Sequence, residues 1–195
     1  MKNKRINNIL ILDNIRIKLI FFLHSDFKHH ILTIFNNNFN FSLANHSTLL
    51  KNCIDIVNEC PSNKTLALEK ICNLLKEKID YYDWVGFYFM DENEKKLILR
   101  SFAGKPTEHE KIPIGRGICG QVAKISKSLI IADVSKEKNY ISCDIEVKSE
   151  IVVPIFVNGL NIGQIDVDSK KLNAFNKYDE NFLKQINELI SKNLF

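Results

Sequence analysis

Apolar positions along this chain change their period several times, and each change marks an element. Leu49, Leu50, Cys53, Ile54 and Val57 recur at helical spacing, until Cys60-Pro61-Ser62-Asn63 breaks the run. A second helix is predicted at about 65–79, with Leu66, Leu68, Ile71, Cys72, Leu74, Leu75 and Ile79 as its inward stripe. The pattern then turns aromatic and β-favouring over Trp84–Met90, and the polar Asp91-Glu92-Asn93-Glu94-Lys95 returns it into Leu97-Ile98-Leu99 as a hairpin. A third strand at about 111–114 leads into Gly115-Arg116-Gly117 and a short helix at about 118–126. Leu129-Ile130-Ile131 reads as a short strand and residues 133–147 as a polar loop. Ile151–Phe156 and Asn161–Val167 form a second hairpin about Asn158-Gly159, a strong two-residue turn signal. A helix at about 177–193, capped by Asn176, closes the chain with Phe182, Leu183, Ile186, Leu189 and Ile190 turned inward. Helices at both ends of an antiparallel sheet make an α+β domain, expected over residues 47–195.

Residues 1–46 differ from this pattern. They are Asn-rich, carry only Asp13 and Asp26 as acids, and hold an apolar run from Ile9 to Leu23 that Asp13, Arg16 and Lys18 interrupt. Those charges argue against a membrane span, and no small-residue cleavage pattern follows to make a secretory signal. An organellar transit sequence fits the low acid content but lacks Arg and Ser enrichment. The segment is read as a poorly ordered extension without core chemistry.

Composition narrows the function more than the fold. A net charge of +4 over 195 residues, with 26% charged residues, describes a soluble chain of mildly basic balance. Lys and Arg are scattered, so no nucleic-acid stripe forms. Five cysteines, Cys53, Cys60, Cys72, Cys119 and Cys143, lack the repeated short spacing of a disulfide scaffold or zinc ribbon. They fit a reducing compartment, the cytoplasm, and no metal or cofactor is expected. Cys53, Cys60 and Cys72 fall on or beside the first two helices as small core hydrophobes.

The chemistry gathers in the second half. Alternating side chains put Asp166 and Asp168 on one face of a strand that should be buried, with Val167 on the other. Unpaired buried charge is costly, so such a pair needs a cation, a shared proton or a water-filled pocket. A pocket is the reading adopted. Glu150, beside Ile151, Val152 and Val153, should be partly desolvated and able to hold a proton near neutral pH. Trp84 and Tyr88 share a strand face, with Gly86 leaving room between them. Gly115-Arg116-Gly117-Ile118-Cys119-Gly120 lacks the Lys-Ser/Thr of a phosphate loop, so a tight glycine turn competes with a helix N-terminus that favours a thiolate at Cys119.

Four segments, DWVGFYF, IPIGRGICGQVA, ISCDIEVKSEIVVPIF and IGQIDVDS, stand in the order found in one family. Over roughly residues 48–193 the chain resembles GAF domains of the free methionine-(R)-sulfoxide reductase type. The resemblance implies a six-stranded antiparallel sheet flanked by helices, a pocket for free methionine sulfoxide, reduction by a cysteine thiol, and recycling by thioredoxin or another thiol reductant. It also allows a homodimer. It places the attacking thiol at Cys143, aromatic pocket walls at Trp84 and Tyr88, and acids at Glu150, Asp166 and Asp168, with Ile141 and Ser142 beside the nucleophile in substrate binding. Glu150 and Asp168 are expected to activate the sulfoxide oxygen and Asp166 to hold the ammonium.

One departure stands out. Well-known relatives carry a further cysteine after Gly-Lys-Pro that resolves the sulfenic acid, whereas this chain has Gly104-Lys105-Pro106-Thr107-Glu108-His109-Glu110, one residue longer and without a thiol. Either Cys119 or an external thiol then rescues Cys143, or turnover has been lost. His109, in a charged loop, is read as solvated. A non-catalytic GAF module that senses a small ligand, or a redox sensor oxidised at Cys143 or Cys119, stays open beside the enzyme.

Overall fold

The computed structural model describes residues 46–91, 93, 95–141 and 145–195. The nucleophile expected at Cys143 and its neighbour Ser142 lie outside the described residues, as does the extension over 1–45. Residues 48–195 make one compact unit.

Two helices come first, α1 over 46–59 and α2 over Lys64–Lys78. Asn63 starts α2 by accepting the Leu66 N–H at 3.0 Å, so the predicted breaker between the helices also caps the second one. The sheet follows as β1 (Trp84–Asp91), β2 (Lys96–Ala103), β3 (Lys111–Pro113), β4 (Leu129–Ile131), β5 (Ser149–Val157) and β6 (Leu160–Ser169). α3 (Gly117–Ile125) lies between β3 and β4, and α4 (Lys177–Leu194) ends the chain. Strand order is β3-β2-β1-β6-β5-β4, antiparallel at every pairing. The α+β, six-stranded architecture expected from the sequence is therefore the one observed.

Each face of the sheet has its own cover. Val85, Phe87 and Phe89 of β1, Ile151, Val153 and Ile155 of β5, and Ile165 and Val167 of β6 pack with α1, α2 and α4 in the larger core. Cys53, Cys60 and Cys72 are buried there as small hydrophobes. The opposite face carries Trp84, Tyr88, Leu97, Ile112 and Val152 under Ile118, Cys119, Val122 and Ala123 of α3. Both faces are buried, which is why the alternation along β1, β5 and β6 is only partly visible as polar against apolar.

Local differences from the predicted pattern have local causes. β2 runs four residues beyond Leu99 because a bulge between Phe87 and Tyr88 absorbs Arg100 and lets Phe102 and Ala103 continue the ladder. Leu66 and Ile54 are each 39% exposed, and Ala67 takes the inward place that the helical stripe gave to Leu66. Asn158 and Gly159 both have positive φ, 51° and 81°, as the predicted tight hairpin turn requires. Pro154 sits where β5 has already left β4, whose pairing covers only Val152 to Glu150, so the missing N–H interrupts no pairing with β4. Asn187 of α4 donates to the carbonyls of Val153 (2.9 Å) and Pro154 (3.1 Å), tying the helix to that stretch of β5.

α4 is anchored at its start by one carboxylate. Asp179, 1% exposed, accepts the hydroxyls of Tyr81 (2.7 Å) and Tyr82 (3.2 Å) on Oδ1 and the Asn176 N–H (2.9 Å) on Oδ2. The Asn176 side chain accepts the Tyr178 N–H at 2.8 Å and also the Asp179 N–H, which completes a capping box. Truncating Asp179 leaves a buried tyrosine hydroxyl and a helix-start N–H without an acceptor, whereas truncating Asn176 loses one cap. Asp179→Ala should therefore cost about 2–4 kcal/mol and Asn176→Ala about 1 kcal/mol, measured by urea unfolding; equal costs would show that the tyrosine pair does not depend on Asp179.

Candidate functional site

The register of three strands assembles the predicted acids. Trp84 of β1 lies opposite Asp168 of β6, which lies opposite Glu150 of β5. One step along, Gly86, Asp166 and Val152 form the next row. Period-2 alternation sends all of these to the α3 face, so three carboxyl groups meet in a patch whose other neighbours are apolar. Glu150, Asp166 and Asp168 are 5%, 2% and 2% exposed.

α3 brings the thiol. Gly115 (φ 92°) and Gly117 (φ 65°) make the left-handed turn that opens the helix. Within it the Gly115 N–H bonds the Gly120 carbonyl (2.7 Å) and the Arg116 N–H bonds the Pro113 carbonyl (3.0 Å). Those two donors are consumed by the turn itself. The turn seats Cys119 in the sheet face, where its Sγ donates to Asp166 Oδ2 at 3.1 Å. The cysteine read as a second thiol near the pocket is thus in direct contact with one of the predicted acids.

Proton affinity follows from this burial. Desolvation drives the Glu150 carboxyl well above its usual range, and the charges of Asp166 and Asp168 push it the same way. Asp166 is pushed up to about 7, again chiefly by burial, with hydrogen bonds from Cys119 and Glu150 pulling back. Asp166 Oδ1 is buried and no fixed N–H or O–H donor among the described residues reaches it. Burial and mutual charge thus favour a proton held between Glu150 and Asp166, across β5 and β6.

Two openings flank this cluster. Cys119, Glu150 and Asp166, with Ile112, Gly117, Ile118 and Ile141, surround a cavity of about 10 Å³, room for a single water. On the other side a cleft of about 540 Å³ is lined by Trp84, Asp168, Gly104 to Thr107, Val147 and the end of α2. Ile141 and Val147 bracket the segment that contains Cys143 in sequence, and each lines one of the two openings.

The aromatic residues do something different from the expectation. Gly86 does not leave open space: a methyl group there would lie 2.1 Å from the Trp84 ring, because the indole itself lies across the glycine. Trp84 stacks on Phe102 at 5.8 Å and donates its Nε1–H to the Lys105 carbonyl at 3.1 Å. Tyr88 is fully buried, and its hydroxyl donates to the His109 carbonyl at 3.0 Å. Both rings thus hold the 104–109 loop, and only Trp84 borders the cleft. His109 is half-buried rather than fully solvated.

Two residues escaped the sequence reading. Glu146 bonds Lys105 (2.6 Å) and Lys170 (2.8 Å), and these bonds, Lys105 first, hold its carboxyl below the usual range. It ties the segment just after Cys143 to the ends of β2 and β6. Nothing in the local sequence marks it, since its partners lie 41 and 24 residues away. Gln164, fully buried two residues before Asp166, has no hydrogen-bond partner for either amide atom among the described residues. Its signal was available in the spacing Gln164-Asp166-Asp168.

Comparison with known proteins then places the geometry. A GAF domain model matches residues 66–194. The chain belongs to the GAF domain family. It is 42% identical over 129 residues to GAF domain-containing protein A of Dictyostelium discoideum, covering 66% of this chain and 80% of that protein. It is 36% identical over 113 residues to the free methionine-R-sulfoxide reductase of Escherichia coli, covering 58% and 67%. The X-ray structure of free methionine-R-sulfoxide reductase from Neisseria meningitidis in complex with its substrate superposes with a TM-score of 0.72 at 31% identity, covering 76% of this chain and 87% of that one. The resemblance drawn from four short segments thus extends over the fold of the GAF domain.

The indole over Gly86 gives a direct check, because Trp84 is the single tryptophan. Gly86→Ala forces the ring off the sheet and breaks its bond to the 104–109 loop. Tryptophan fluorescence should shift to longer wavelength, with a loss of roughly 1–3 kcal/mol in stability from overpacking. An unchanged spectrum would show that the indole does not rest on Gly86.

Proposed function

We propose that this chain reduces free methionine-(R)-sulfoxide to methionine, with Cys143 as the nucleophile. The observation that carries the reading is the buried pair Glu150–Asp166, which holds a carboxyl proton at neutral pH in the face of the GAF sheet. Sulfoxide reduction by a thiol needs that combination. The Cys143 thiolate attacks the substrate sulfur, the S–O bond breaks as oxygen takes the Glu150 proton, and the oxygen is transferred in net to Cys143 as a sulfenic acid. Methionine leaves two electrons richer. A neutral carboxylic acid beside the oxygen supplies the proton without placing another charge in the pocket.

The arrangement supports a revised division of labour among the acids. Glu150 delivers the proton and Asp166 retains its share through the bond from Cys119. Asp168, which borders the wide cleft with Trp84, is placed to receive the substrate ammonium. Ile141, and Ser142 next to the nucleophile, remain in the substrate-binding role. The match to proteins named free methionine-R-sulfoxide reductases, one of them in complex with its substrate, favours this reading over a ligand or redox sensor.

The cycle closes by thiol chemistry. An external thiol attacks the sulfenic sulfur and releases water, and a second thiolate cleaves the mixed disulfide to restore Cys143. Thioredoxin in the cytoplasm supplies both thiols; alternatively Cys119 makes the first attack. No helix among the described residues is long and apolar enough to cross a membrane.

Methionine released from free methionine-(R)-sulfoxide, with either dithiothreitol or thioredoxin as reductant, tests the assignment directly. Cys143→Ser should abolish release; release by that variant at the wild-type rate would remove the proposed nucleophile. Cys119→Ser should keep activity with dithiothreitol, and a selective loss with thioredoxin would assign Cys119 to resolution.

The raised carboxyls also predict a pH dependence. A carboxyl bound more tightly to its proton in the folded state stabilises the fold below its unfolded value near 4, and that contribution disappears as pH rises through about 7. Turnover should fall above about pH 7 as the shared proton is lost. Glu150→Gln should lower turnover by 10²-fold or more, while raising Tm at pH 8 and flattening the decline of Tm between pH 4 and 8. A steeper decline in the variant would reverse the assigned sign.

A further inference from the structure

The buried cluster offers donor atoms as well as protons. Cys119 Sγ, a Glu150 oxygen and an Asp166 oxygen all lie within 4.8 Å of one another, on three buried residues from three elements. A tetrahedral zinc site with Zn–S near 2.3 Å and Zn–O near 2.0 Å places its donors roughly 3.3–3.5 Å apart. The thiol and Asp166 Oδ2, at 3.1 Å, already stand at about that separation. The three side chains surround the small cavity beside Ile141, large enough for one ion or water. Asp166 Oδ1 adds an independent sign, since this buried oxygen of a cavity-lining residue receives no hydrogen bond from a fixed donor among the described residues.

We propose that Cys119, Glu150 and Asp166 form a binding site for a single Zn²⁺ ion, with a water in the fourth position. The donor set selects the metal. One sulfur and two carboxylates suit a borderline-soft cation with low coordination number, whereas Ca²⁺ and Mg²⁺ need six or more oxygens that the apolar surroundings do not provide. Exchange is balanced in charge: the thiol proton and the Glu150 carboxyl proton leave as one Zn²⁺ enters. Occupancy removes the proton assigned above to the sulfoxide oxygen, so zinc acts as a reversible inhibitor. That consequence rests on the proposed reductase activity, but the binding does not.

Cobalt replaces zinc as a coloured probe. The full chain, reduced with a phosphine and free of substrate, is titrated with Co²⁺ while thiolate-to-cobalt absorption in the near ultraviolet and tetrahedral bands in the visible are recorded. One equivalent should bind, be displaced by Zn²⁺, and persist in Cys143→Ser. Cys119→Ser should lose the near-ultraviolet band, and Asp166→Asn should weaken binding at least 10-fold, each variant being checked for folding by circular dichroism. Wild type without the band in millimolar Co²⁺, or a band kept in Cys119→Ser and lost in Cys143→Ser, overturns the site. Methionine release with and without Zn²⁺ reads inhibition separately, so an inactive protein that still shows the Cys119-dependent band leaves the metal site standing and removes only the reductase.

Discussion

Three carboxyl groups and a thiol buried together under one short helix set the terms for the rest of the structure. Separate ionisation of Glu150, Asp166 and Asp168 in an apolar sheet face would cost several kcal/mol per charge. The cluster survives by keeping a proton between Glu150 and Asp166 and by spending the Cys119 S–H on Asp166. Every element around it serves that arrangement. The two-glycine turn places Cys119, the antiparallel register sets Glu150 beside the β6 acids, and three helices bury the far face so that the strands stay in register.

Support reaches the site from the side as well. Trp84 and Tyr88 carry their polar ends to the carbonyls of Lys105 and His109, which fixes the 104–109 loop along the edge of the wide cleft. Glu146 draws the segment after Cys143 toward the same loop through Lys105 and toward β6 through Lys170. These ion pairs are exposed, so each contributes little to stability. Their value is positional, since they connect three chain segments that border one cleft.

The sequence was most legible where one local rule decided the outcome. Helical spacing marked α1, α2 and α4, Asn158-Gly159 demanded its turn, and alternation put Asp166 and Asp168 on one face. Glu150 could be recognised as desolvated because its neighbours are Ile151 to Val153. What escaped was set by tertiary pairing. The bulge that lengthens β2 depends on the ladder with β1, the exchange of Leu66 for Ala67 on the helix face depends on how α2 sits on the sheet, and the Lys105–Glu146–Lys170 bridge joins residues distant in sequence. The Trp84 indole is the most instructive case. A glycine between two aromatics reads as space for a ligand, yet the nearest ring occupies that space.

A site built this way trades stability for chemistry. Replacing its acids by apolar residues of similar volume would ease the burial penalty. The same property explains why one geometry can serve a proton or a metal ion. A carboxyl kept neutral by desolvation gives up its proton either to a developing oxyanion or in exchange for a cation, and both outcomes relieve the same strain. The thiol of Cys119 divides the two roles: as an S–H donor it stabilises the carboxylate of Asp166, whereas as a thiolate it needs compensating positive charge in a pocket that already contains three acids.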